Sequence, residues 1–79
     1  MPEKFTIPRL KELRQENGFY QRHLAKYLEC TQQTYSRYEN GEIQLPLPYL
    51  IKLTYLYNVS SDFILELTDV KKRPAPRSD

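Results

Sequence analysis

The chain has 79 residues, a formal net charge of +2 and a single cysteine. That length holds one small domain and excludes a second core. The lone Cys30 excludes an internal disulfide, no Cys/His cluster has metal-ligand spacing, and no apolar run nears the roughly 20 residues of a membrane helix.

The opening MPEKFTI has a proline and no clean period and reads as an irregular arm. Pro8 suits the start of a helix, where its missing N–H costs little. Leu10 and Leu13 form an i, i+3 apolar pair, while Lys11, Glu12, Gln15 and Glu16 face water. Asn17-Gly18 ends this helix with Gly18 in the left-handed region, and Phe19 covers the core edge. A second helix, from about Gln21 to Leu28, buries Leu24, Ala25 and Leu28. Thr31 caps a third helix through a first-turn N–H, and Asn40-Gly41 closes it before a loop to Leu45-Pro46.

The fourth helix runs from Leu47 or Pro48 to Tyr57. Its apolar groups (Leu47, Leu50, Ile51, Leu53, Tyr55, Leu56, Tyr57) exceed one stripe, so it is either the centre of the core or carries a dimer contact on its second face. Asn58 ends it. Ser60 caps a short fifth helix from Ser61 to about Leu67, with Asp62 near its positive end, and Val59, Phe63, Ile64 and Leu67 close the domain. The expectation is therefore an all-α, five-helix domain over residues 1–67, followed by a basic tail over 68–79. That tail, ending KKRPAPRSD, is too polar to bury and is expected to be disordered.

The most informative stretch is QRHLAKYLECTQQTYSRYENG, Gln21 to Gly41, two short helices joined by a tight turn. At about 100° per residue, Gln33, Arg37 and Asn40 share one stripe on the second of these, with Gln32 and Ser36 beside it. Tyr35, Tyr38 and Glu39 occupy the other side. Gln can pair with the N6/N7 edge of adenine and Arg with O6/N7 of guanine, so this face suits a DNA major groove. Gln21 and Asn40 sit at helix boundaries, where short polar groups can clamp phosphates. A merely solvated helix would also be polar, but it would not need a short, sharply bounded helix after a tight turn. Charge does not point the same way: over residues 19–46, Arg22, Lys26 and Arg37 are balanced by Glu29, Glu39 and Glu42.

The order and spacing of Leu13-Arg14, Gly18, Gln21, Leu24-Ala25, Leu28, the run Thr31 to Gly41, Leu45-Pro46, Leu50-Ile51, Leu53 and Tyr57-Asn58-Val59-Ser60 resemble the lambda-repressor-like (Xre/Cro-type) helix-turn-helix regulators. The resemblance covers roughly Leu10 to Leu67. It implies a compact five-helix fold that binds palindromic operators as a homodimer. It implies Gln21 and Asn40 as phosphate contacts, Thr31 as a DNA-binding residue at the start of the reading helix, and Gln32, Gln33, Ser36 and Arg37 as groove-facing readers. It also implies an ion pair between Arg14 and Glu39. The sequence agrees with the last point, because Glu39 lies on the inner side with the tyrosines and needs a partner there.

The sequence departs from that pattern in three places. Glu29 stands where the turn usually has glycine, so a left-handed turn would be strained or rearranged. Tyr20 replaces the usual Ser/Thr cap of the second helix. Glu42 replaces a common Lys or Arg and would repel a nearby phosphate. Cys30 reads as a small buried hydrophobe rather than a redox switch, and His23 as a solvated side chain. Tyr35, Tyr38 and Tyr57 fall on core-facing positions, leaving Tyr27, Tyr49 and Tyr55 for surface contacts.

The function expected is a sequence-specific, double-stranded DNA-binding transcriptional regulator, a repressor reading a short palindrome as a homodimer in the cytoplasm. The alternative is a protein-interaction module, such as an antitoxin bound to a toxin or an antagonist of another regulator. An enzyme is not indicated, since His23 and Cys30 have no third orienting group and no phosphate-cradling glycine loop is present. No cofactor is implied.

Overall fold

The computed structural model describes residues 6–70; the opening arm over 1–5 and the basic tail over 71–79 lie outside the described residues. Among the described residues five helices follow in order: α1 Pro8–Glu16, α2 Gln21–Leu28, α3 Gln32–Asn40, α4 Leu47–Tyr57 and α5 Ser61–Ile64. Their apolar faces meet in one core. Leu10 and Leu13 of α1, Leu24 and Leu28 of α2, Tyr35 of α3, Leu53 of α4 and Ile64 of α5 are each no more than 2% exposed. The small Ala25, also buried, lets α3 pack closely against α2.

The helix starts follow local chemistry. Pro8 begins α1, the Thr31 hydroxyl accepts from the Thr34 N–H at 3.0 Å, and the Ser60 hydroxyl accepts from the Phe63 N–H at 3.0 Å. The start of α2 lacks a Ser or Thr cap, as the sequence leads one to expect. Tyr20 offers no side-chain cap, but its own N–H donates to Nδ1 of His23 at 2.8 Å. An imidazole one turn in thus takes the position of the reciprocal Glu or Gln of a capping box. His23 is therefore a capping group, flanked by Phe19 and Tyr20, and not merely solvated.

The helix ends share one device. Gly18, Glu29, Gly41, Asn58 and Glu66 all have positive φ. After each, the next N–H reaches back five residues: Phe19 to Arg14, Cys30 to Ala25, Glu42 to Arg37, Val59 to Thr54 and Leu67 to Asp62. This left-handed closure satisfies carbonyls that the helix end would otherwise leave unpaired. At Gly41 a second constraint applies, because a Cβ there would lie 3.0 Å from the Thr6 backbone.

Two sequence expectations are corrected by these closures. The fifth helix ends at Ile64 rather than Leu67, because Glu66 turns the chain back. Leu67 is consequently 72% exposed and does not close the domain. The closing role passes in part to Arg9, whose Nη1 donates to the carbonyls of Phe63 and Thr68 at 2.7 and 2.8 Å. Its Nη2 meets Asp69 at 2.9 Å, and its guanidinium lies 4.0 Å from the centre of the Phe63 ring. Arg9 thereby fastens α5 and the residues just after it to α1. A third correction concerns Tyr49, which is half-buried and packs edge-on to Tyr38 rather than standing free for surface contact. Tyr27 is partly exposed, with its hydroxyl donating to the Lys52 carbonyl at 2.9 Å, and Tyr55 is 64% exposed.

Glu29 keeps the turn of the helix-turn-helix in its left-handed form at φ 60° and ψ 43° rather than rearranging it. The Cβ contacts that disfavour this region for an L-residue remain as strain. Glu29→Gly relieves them, offset by glycine's greater unfolded-state freedom, for a net gain of about 0.5–1 kcal/mol. Thermal unfolding followed by circular dichroism should show a rise of a few degrees; an unchanged or lower melting temperature would contradict the strain.

Candidate nucleic-acid interface

Helix α3 divides its side chains as its sequence period dictates. Tyr35, Tyr38 and Glu39 are buried, whereas Gln32, Gln33, Arg37 and Asn40 are exposed and Ser36 is half-exposed. The outward groups join Gln21, from the start of α2, and Glu42 to line a shallow concavity of 510 Å³. Six of the seven residues expected at a DNA site therefore share one surface. Thr31 does not line it. Its hydroxyl accepts the Thr34 N–H and donates to the Thr34 hydroxyl at 2.8 Å, which caps the start of α3.

The surface is oriented by a buried ion pair. Arg14 of α1 grips Glu39 with two nitrogens, Nε to Oε2 at 2.7 Å and Nη2 to Oε1 at 3.2 Å. The Glu39 side chain is only 2% exposed and that of Arg14 11%. Arg14 Nη1 also donates to the Phe19 carbonyl at 3.0 Å. The Gln21 amide adds a third bond to Glu39, Nε2 to Oε1 at 3.1 Å. Gln21 thus sits with one edge on the ion pair and another on the concavity. Burial opposes ionisation of Glu39, but the hydrogen bonds from Arg14 and Gln21, with the charge of Arg14, overcome it and hold the carboxyl below its usual range. Burial and the same carboxylate push the Tyr35 hydroxyl well above its ordinary pKa.

At the far end of α3, Asn40 Nδ2 lies 3.5 Å from Ser36 Oγ and 3.4 Å from Glu42 Oε2. Arg37 Nε lies 3.9 Å from Glu42 Oε1. Sequence reasoning gave Glu42 only the part of a phosphate repeller; its place beside Arg37 and Asn40 depends on the Gly41 turn. Cys30 is half-buried against the core, and burial pushes its thiol up, which suits a small hydrophobe rather than a reactive thiolate. Among the described residues no group of His, Cys, Asp or Glu could hold a metal ion, and no helix is long and apolar enough to cross a membrane.

Two short helices joined by a left-handed turn, the second carrying an exposed polar face over a buried aromatic side, define the helix-turn-helix class of fold. Residues 10–64 match the helix-turn-helix family, and the chain belongs to it. It is similar to YonR, a prophage-derived, uncharacterised HTH-type transcriptional regulator of Bacillus subtilis strain 168. The two are 40% identical over 60 residues, covering 76% of this chain and 56% of that protein. It is also similar to the HTH-type transcriptional regulator ImmR of the same organism, at 38% identity over 65 residues, covering 82% and 51%. The fold matches a crystal structure of a transcriptional regulator from Listeria innocua with a TM-score of 0.66 and 25% identity, covering 86% of this chain and 61% of that one. The chain spans about half the length of the curated relatives it matches.

Removing the Glu39 carboxylate leaves Arg14 unpaired in a site that excludes water, so Glu39→Ala should destabilise the fold by about 3 kcal/mol in urea unfolding. Unchanged stability would refute the structural role of the pair. The pH dependence has a definite sign. A carboxyl held low in the fold contributes stability that is fully present above its unfolded value of about 4.3 and is lost as pH falls through the folded value. Melting temperatures should therefore decline on acidification below about pH 4.3, and Glu39→Gln should flatten that decline.

Proposed function

We propose that this chain is a sequence-specific DNA-binding transcriptional regulator, a repressor, that lays α3 in the major groove of a short palindromic operator. The observation that carries this reading is the concave face of Gln21, Gln32, Gln33, Ser36, Arg37 and Asn40, open to solvent while Tyr35, Tyr38 and Glu39 of α3 are buried. Gln33 and Arg37 lie one turn apart at its centre, able to pair with adenine and guanine edges. Gln21 at the start of α2 and Asn40 at the end of α3 both border it, where they can contact phosphates and set the register. The names of the similar regulators support the same class of activity.

A palindrome requires two copies, with half-sites about 10 bp apart. Leu47, Ile51 and Tyr55, spaced i, i+4, i+8 on α4, are 65%, 48% and 64% exposed, a stripe that supports a homodimer contact. The core takes the other face of α4 through Leu50 and Leu53, so its excess of apolar residues serves two surfaces. The same stripe is the feature that favours the second reading, a module that docks a toxin or another regulator.

Selection of bound sequences from a random duplex library at ~100 mM salt tests the proposal, since salt sets apparent affinity. The expected result is a palindrome whose preference relaxes at one position in Gln33→Ala and at another in Arg37→Ala. No preferred sequence from folded protein would move the assignment to the protein-docking reading. Sedimentation of Ile51→Glu should show loss of self-association with helicity retained.

A further inference from the structure

We propose that Glu42 is a positioning residue for base readout, which orients the Arg37 guanidinium toward a guanine and keeps the reading face electrically neutral. This rests on the DNA-reading function proposed above. Arg37 and Glu42 are the only charged residues that line the concavity among those described. The two carboxylate oxygens of Glu42 are divided between neighbours on α3: Oε1 lies 3.9 Å from Arg37 Nε, and Oε2 lies 3.4 Å from Asn40 Nδ2. The backbone holds Glu42 there. Gly41 turns left-handed at φ +75°, and the Glu42 N–H returns to the Arg37 carbonyl at 2.9 Å, folding residue 42 back over the last turn.

The arrangement has a consequence for the guanidinium. A carboxylate beside Nε leaves the two terminal nitrogens free, and a guanidinium fork is what pairs with O6 and N7 of guanine. In water the contact is weak, since the side chains of Arg37 and Glu42 are 52% and 54% exposed. Against DNA, with water displaced, the same contact strengthens and selects one orientation of the fork. Neutrality adds a second effect. Free of net positive charge, the face gains little from phosphate alone, so binding depends on matched base edges.

Simple repulsion of phosphate by Glu42 predicts something different: weaker binding to every sequence alike. Glu42→Gln separates the two. Binding is measured at fixed salt to the selected operator, to each single-base variant of it and to a random duplex, with the melting temperature recorded alongside. The expected outcome is tighter binding to random duplex and a loss of roughly fivefold or more in discrimination at the base that Arg37 reads. Discrimination at the base read by Gln33 stays unchanged, as does the melting temperature. In an Arg37→Ala background, Glu42→Gln no longer alters discrimination, because there is no guanidinium to orient. A uniform gain with base preference intact, or no change at all, overturns the positioning role while leaving the DNA-reading function standing. A wild-type protein with no preferred sequence overturns both.

Discussion

The buried carboxylate of Glu39 is the constraint on which the reading surface depends. It receives hydrogen bonds from α1 through Arg14 and from α2 through Gln21, while itself belonging to α3. Three helices that share only apolar contacts could slide by fractions of a turn at small cost. A charge buried to 2% exposure permits no such drift, because an unpaired carboxylate out of water is far more costly than a shifted leucine. The angle at which α3 presents Gln33 and Arg37 is therefore fixed by chemistry on its opposite side.

Gln21 makes that connection direct. One hydrogen bond ties it to Glu39, and its position on the concavity makes it the residue where structural polarity and the candidate DNA face meet. The aromatic side of α3 supports the same geometry: Tyr35 and Tyr38 pack edge to face, and Tyr38 meets Tyr49 of α4 the same way. Rigid rings under a short helix limit its rocking, which suits a surface that must match base edges to within a hydrogen bond.

Repeated use of one helix ending explains how so short a chain closes a core. Each of the five left-handed residues reverses the chain within a few positions and returns the following N–H to the helix. Short connections keep loop entropy low in a domain with little apolar area to spare. Glycine serves at Gly18 and Gly41, and asparagine at Asn58, as local preference leads one to expect. Glu29 and Glu66 do the same work against their preference. The core contacts on either side, Leu28 with Cys30 and Ile64 with the Arg9 clamp, hold them there.

What the sequence determined by itself was whatever local chemistry and periodicity decide. The 3.6-residue period separated Tyr35, Tyr38 and Glu39 from Gln32, Gln33, Ser36, Arg37 and Asn40. The caps at Thr31 and Ser60 and the stops at Gly18, Gly41 and Asn58 bounded the helices, and a buried acid on α3 called for the partner found in Arg14. The tertiary structure decided what depends on distant groups meeting. Arg9 found its carbonyls 54 and 59 residues away. Glu66 cut α5 short because packing, not propensity, set its backbone, and Glu42 reached Arg37 through the turn at Gly41. Period and capping act over a few residues and are written in order along the chain; partners brought together by folding are not.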